Sequence, residues 1–239
     1  MSSGGTAVIV GVGPGLGAAL CRRFAREGMN IAVAARDTAK TEKIVAEVNA
    51  LGGGTARGFS VDTTDEAAVE KLFNDVSGDW GVPDVAIYNA GAFMKASILD
   101  ATAEDFKRCW EANCYGGFLV GRAAATRMAP RGAGSILFTG ATASKRGSAQ
   151  FFNLSVGKFG LLALAQAMAR ELGPQGIHVA HVIIDGQINA GRHLKLAAER
   201  PPEALLEPDD IAETYWQIHT QKRSVWAFDV DLRPWVENF

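Results

Sequence analysis

Apolar residues along this chain fall into short unalternating runs, separated by longer stretches with helical spacing. Ala7–Val10, Ile31–Ala35, Ala56–Val61, Asp84–Tyr88, Ser135–Thr139, His178–Ile184 and Val225–Val230 are the runs, and each predicts a buried strand. Helical periods cover Ala18–Glu27, Thr41–Leu51, Asp65–Val76, Ala103–Met128, Phe151–Leu172 and Pro208–Gln217. In the third of these, Val69, Leu72, Phe73 and Val76 form one apolar stripe. Gly52-Gly53-Gly54 and Gly173-Pro174 supply stop signals. Strands that are apolar on both faces and alternate with helices predict a parallel sheet covered on both sides. Right-handed crossovers make that sheet doubly wound. The expected fold is therefore a single α/β domain over residues 1–239, in three layers (αβα). Residues 189–207 are the one irregular stretch, charged and proline-bearing. They read as a substrate lid over the carboxyl ends of the strands, with a plain surface connector as the alternative.

Bulk numbers narrow the partners. Apolar content of 48% and charged content of 21% suit a globular chain of 239 residues. A net charge of −2 with no basic stripe argues against nucleic acid. The segment MSSGGTAVIV lacks a basic leader pattern, and no apolar segment is read as long enough to span a bilayer. The three cysteines, Cys21, Cys109 and Cys114, form no CxxC pair. They read as small apolar residues in a reducing cytoplasm, with neither a metal site nor a disulfide framework.

Chemistry first shows in TAVIVGVGPGLG. A strand ends in Gly11, Gly15 and Gly17 and leads into a helix. Backbone N–H groups at such a helix start, with the helix dipole, attract phosphate, and the missing Cβ atoms allow close approach. That makes the fold Rossmann-like and a dinucleotide its expected ligand. Tight turns also select glycine, so the rest of the chain has to decide. The residue after the second strand chooses between cofactors. Ala35 is not acidic and Arg36 follows it, which favours NADP over NAD, with Asp37 as a pairing partner that tempers the choice.

Gly11/Gly15/Gly17, Asp62 in VDTTD, Asn89-Ala90-Gly91, Asn113, Lys158 and Asp209-Asp210-Ile211-Ala212, in this order and spacing, resemble the short-chain dehydrogenase/reductase family over nearly the whole chain. The resemblance implies roles position by position. Gly11, Gly15, Leu16 and Gly17 are expected at the pyrophosphate, and Asp62 and Thr63 at the adenine. Asn89, Ala90 and Gly91 would line the cofactor, and Gly186 and Ile188 would stand near the nicotinamide. Lys158 would hold the nicotinamide ribose, and Asn113 would anchor a water that links Lys158 to solvent. The substrate implied is a small carbonyl or alcohol. Phe93, Met94, Phe151 and Phe152 suggest an apolar pocket for it. Pairing through Ala103–Met128 and Phe151–Leu172, as in family dimers and tetramers, is also implied. The tail Asp231–Phe239 would pack on a neighbour or on its own domain.

The family's Tyr-x-x-x-Lys is altered here. The segment reads Leu154-Ser155-Val156-Gly157-Lys158, and Tyr88, Tyr115 and Tyr215 are the only tyrosines. The family's serine position falls on Ala141, beside Thr142, and its Pro-Gly becomes Asp185-Gly186. A positioned acid or base is worth about 10²–10⁴ in rate, and proximity is a separate contribution. Lys158, desolvated beside Leu154, is one replacement acid, and Thr142 one carbonyl-orienting group. Tyr115 and a lid histidine, His193, rank lower. Three readings stand: an NADP-dependent oxidoreductase with a modified proton relay, a non-catalytic dinucleotide sensor or oligomer subunit, and a non-redox enzyme on the same fold.

Overall fold

A computed structural model describes residues 4–237, apart from the side chains of Thr38 and Arg192. Asn238 and Phe239 of the aromatic tail lie outside the described residues. Seven strands form one parallel sheet: β1 Thr6–Val10, β2 Asn30–Ala35, β3 Ala56–Ser60, β4 Val85–Tyr88, β5 Gly134–Ala141, β6 Ile177–Ile184 and β7 Asp229–Leu232. Their order is β3-β2-β1-β4-β5-β6-β7, so the winding reverses between β1 and β4. A crevice opens at that reversal, beyond the carboxyl ends of the strands.

Helices cover both faces. They are α1 Leu16–Arg26, α2 Thr38–Ala50, α3 Glu66–Trp80, α4 Ala103–Trp110, α5 Gly116–Met128, α6 Phe152–Leu172, the short α7 Leu194–Ala197 and α8 Pro208–His219. Ile9, Val33, Ile87 and Leu137 point to one side, where Phe24 of α1 and Tyr215 of α8 close the core. Val8, Val10, Ala86 and Phe138 point to the other, against Phe73, Leu119 and Leu161. Each large apolar side chain so buried contributes about 1.5–3 kcal/mol. The edge strands β3 and β7 are half exposed, as their mixed sequences require.

Three sequence expectations are corrected. Ala103–Met128 is not one regular helix: a π turn, Glu111–Tyr115, separates α4 from α5. The last strand begins at Asp229, because residues 223–225 make a 3₁₀ turn instead. And Phe152–Gln175 is, by length and composition, apolar enough to cross a membrane. That helical stretch lies against β5, β6 and the π turn, with about a third of its apolar window buried inside the fold.

Candidate dinucleotide and active site

The site grows from β1. Gly11 turns the chain sharply at φ +86°, and a Cβ there would stand 2.3 Å from the Ala90 amide nitrogen. Only glycine permits that contact between the two strand ends. Asn89 Nδ2 donates to the Gly11 carbonyl at 3.0 Å and ties β4 to the turn. A Cβ on Gly17 would stand 2.7 Å from Val12 Cα, so this glycine lets α1 pack onto its own approach loop. Helix α1 has no side-chain cap and no acid in its first turn. Asp37, Asp65 and Thr102, by contrast, cap α2, α3 and α4. The N-terminus of α1 thus keeps its positive end for an external anion.

Two cavities meet at this turn and share Gly11, Gly13 and Asn89 as lining. The larger, about 740 Å³, is bordered by Arg36, Asp62, Thr63, Ala90 and Gly91. The smaller, about 430 Å³, is bordered by Gly15, Leu16, Gly17, Gly186 and Ile188, with Thr139, Gly140, Ala141 and His193. Together they make one trough from Arg36 to Ile188. Arg36 is exposed and forms no ion pair among the described residues. Asp37 is committed to capping α2 through Ala39 N at 3.1 Å and to Lys40 at 3.0 Å. Asp62 accepts the Thr64 N–H and hydroxyl, at 3.0 and 2.8 Å, through Oδ1, and these bonds hold its carboxyl below the usual range.

Lys158, Asn113 and Thr142 line neither cavity. Lys158 and Asn113 lie behind Gly91, where a Cβ would stand 2.8 Å from Asn113 Oδ1 and 3.8 Å from Lys158 Nζ. Lys158 is buried, donates to the Thr139 carbonyl at 2.7 Å, and has its pKa lowered to about 8 by desolvation. The π turn presents Asn113 inward, where its amide donates to the carbonyls of Ala92 (2.6 Å) and Cys109 (2.8 Å). Asn113 Oδ1 is buried and meets no donor among the described residues. Such an unmatched acceptor costs about 1–3 kcal/mol, so a donor from solvent or ligand suits the position. Thr142 donates its one hydroxyl proton to Asp185 at 2.5 Å. In this arrangement it faces other groups only as an acceptor.

None of the tyrosines stands beside Lys158. Tyr88 donates to the Ala112 carbonyl at 2.6 Å within the core, and Tyr215 bonds Thr139 Oγ1 at 2.7 Å on the opposite face of the sheet. Tyr115 stacks on Trp110 and Phe118. Phe93 stacks on Phe151 at 5.2 Å. Phe152 instead stacks on Phe106 and borders an outer groove with Val156 and Phe159, which removes it from the expected substrate pocket. The irregular segment is clamped at its base by the Ile188–Leu206 bridge, and Ala190 Cβ lies 2.8 Å from where a Gly15 Cβ would be. The segment therefore folds over the glycine turn. Sequence reasoning passed over Ser144, His181 and Asp229. A histidine inside the apolar run HVAHVII was the available signal.

The family model for short chain dehydrogenase matches residues 5–193. Sorbitol-6-phosphate 2-dehydrogenase of Escherichia coli (strain K12) is 31% identical over 211 residues, covering 87% of this chain and 82% of that protein. The crystal structure of a short-chain dehydrogenase from Rhodopseudomonas palustris shares 37% identity at a TM-score of 0.83, over 97% of this chain and 99% of the other. A metagenomic short-chain oxidoreductase in complex with NADP shares 26% identity at a TM-score of 0.85, over 98% and 99%. The chain belongs to the short-chain dehydrogenase/reductase family, whose members are NAD(P)-dependent oxidoreductases.

Proposed function

We propose that this protein is an NADP-dependent oxidoreductase that interconverts a small, largely apolar carbonyl compound and its alcohol, with a proton relay that lacks the family's tyrosine. One observation carries the reading. A single trough runs from the exposed Arg36, over the glycine turn, to the wall in front of the buried Lys158. Gly11 and Gly17 leave space that any Cβ would fill, and Asn113 Oδ1 awaits a donor. These features fit a dinucleotide, and its nicotinamide supplies or accepts the hydride when bound.

The chain's own residues do the rest. Arg36 would meet the 2′-phosphate that distinguishes NADP, while Asp37, which also borders this end of the trough, has its carboxylate engaged by Ala39 N and Lys40. Gly15, Leu16 and Gly17 offer the start of α1 to the pyrophosphate. Asp62 and Thr63 take the adenine end, and Asn89, Ala90, Gly91, Gly186 and Ile188 border the middle and the nicotinamide end. Lys158, behind the Gly91 wall, would orient the ribose where the bound cofactor reaches it and, with a pKa of about 8, would release the proton that the nascent alkoxide takes up. Asn113 holds the water that restores that proton. Residues 189–207 act as the lid. Two or four copies associate through α4–α5 and α6, whose outer faces expose Phe118, Val156 and Phe159.

A second reading is favoured by Leu154, Ala141 and the engaged Thr142 hydroxyl: a dinucleotide-binding sensor or subunit with little turnover. The substitution Leu154→Tyr decides between them. It places a phenol one turn from Lys158, and NADPH-dependent reduction of a panel of aldehydes and ketones is expected to rise at least about tenfold, toward the factor of about 10²–10⁴ that a fully positioned acid supplies. If the wild type turns over and the variant gains nothing with any accepted substrate, the placement of the site is wrong. If neither protein turns over, the sensor reading stands.

A further inference from the structure

Directly behind the wall of the smaller cavity lies a hydrogen-bonded array that the proposed relay does not use. His181 of β6 is fully buried. Its Nδ1 lies 3.3 Å from Asp229 Oδ1 on β7, and its Nε2 lies 3.4 Å from Ser144 Oγ, just after β5. Ser144 is also fully buried, and its Oγ accepts the Ala141 N–H at 3.2 Å. Gly140 makes room for the array: a Cβ there would stand 2.4 Å from His181 Cε1 and 3.0 Å from Ser144 Oγ. Gly140 and Ala141 themselves line the cavity.

The donors and acceptors have one consistent assignment. An ionised carboxylate only accepts, so His181 Nδ1 carries a proton toward Asp229. The neutral imidazole then has a lone pair on Nε2, to which the Ser144 hydroxyl donates. Ser144 Oγ is left to accept from Ala141. The chemical order is serine, histidine, aspartate, but a serine with no exposed surface cannot attack a substrate. The array acts by holding its neighbours.

We propose that His181 is a positioning residue for the reaction: with Asp229 and Ser144 it fixes the Gly140–Ala141 backbone that walls the nicotinamide end of the trough, and it does so only while its imidazole is neutral. The proposal rests on the oxidoreductase reading above. Protonation turns Nε2 into a donor, so the Ser144 hydroxyl loses its acceptor. The charged groups facing the ring are Lys158 from α6, Lys145 from the turn after β5, and Asp229 from β7. Burial and the two lysines disfavour the imidazolium and Asp229 favours it, with a net shift downward.

The test is the pH profile of kcat/KM for NADPH-dependent carbonyl reduction between pH 5 and 8, alongside imidazole nitrogen NMR of His181. The wild type is expected to lose rate on the acid side in step with His181 titration. His181→Gln, which keeps an acceptor for Ser144 but does not titrate, should flatten that limb and stay within about threefold of wild type at pH 7.5, while His181→Ala should fall about tenfold. Asp229→Asn removes the charge that favours protonation, so the limb should move to lower pH. A limb unchanged in His181→Gln and Asp229→Asn, or His181 titrating without a change in rate, overturns the proposal and leaves the oxidoreductase reading intact. A wild type that neither binds NADPH nor reduces any carbonyl overturns that reading, and the proposal falls with it.

Discussion

Lys158 is a lysine removed from water, with no carboxylate paired to it among the described residues. Its nearest polar partner is the Thr139 carbonyl, and desolvation lowers its pKa to about 8. An acid with that pKa is protonated at neutral pH and spent above it. Carbonyl reduction should therefore decline as pH rises through about 8, and alcohol oxidation should increase over the same range. Lys158→Arg, which stays charged, should abolish the transition along with most of the rate. An unaltered alkaline profile in that variant would remove Lys158 from the relay. At this scale the sequence revealed identities but not circumstances. Gly11, Arg36 and Lys158 were legible as types at a spacing. That Thr142 spends its proton on Asp185 and that Tyr215 lies across the sheet depends on partners 43 and 76 residues away, which a local pattern does not contain.

Helix starts divide into two kinds in this fold. Asp65 caps α3 by accepting from Ala67 N and Ala68 N at 2.9 and 3.3 Å, just past the Asp62–Thr64 edge of the trough, whereas α1 is left open beside the glycine turn. Asp65→Ala should cost about 1 kcal/mol of stability and change NADPH affinity much less than a substitution in the glycine turn does. Gly11→Ala should lose both, because a residue with a Cβ is strained at φ +86° and the added atom meets the Ala90 amide. Chemical denaturation and calorimetry on the two variants check this, and equal effects on affinity would contradict the division. Element existence was plain from apolar periodicity. The π turn was not, because one extra residue in a helical turn leaves the hydrophobic stripe nearly continuous. Its cause is tertiary: it directs Asn113 toward Ala92 and Lys158.

The whole molecule is one parallel sheet whose order, β3-β2-β1-β4-β5-β6-β7, follows from alternating strands and helices joined by right-handed crossovers. That much was legible because both faces of the central strands are apolar. The last strand was misplaced because β7 is an edge, where the mixed pattern of Asp229–Leu232 carries little signal. The sheet also buries imidazoles. His178, His181 and His219 all have pKa values lowered, by desolvation first. The unfolded chain binds protons at the ordinary value near 6.5 while the folded chain does not, so stability is complete above that pH and declines below it. The expected slope is up to about 1.4 kcal/mol per pH unit for each histidine. Urea denaturation at pH 7.5 and 5.0 should show the loss, and a flat profile would contradict it. The central claim is that the trough holds NADP through Arg36. Calorimetric titration of the wild type and Arg36→Ala with NADPH and NADH tests it most directly. The account predicts that wild type binds NADPH at least about tenfold more tightly than NADH, a preference that one charge-assisted phosphate contact supplies, and that Arg36→Ala erases it. Equal binding of the two cofactors by wild type, or no binding of either, would contradict the account.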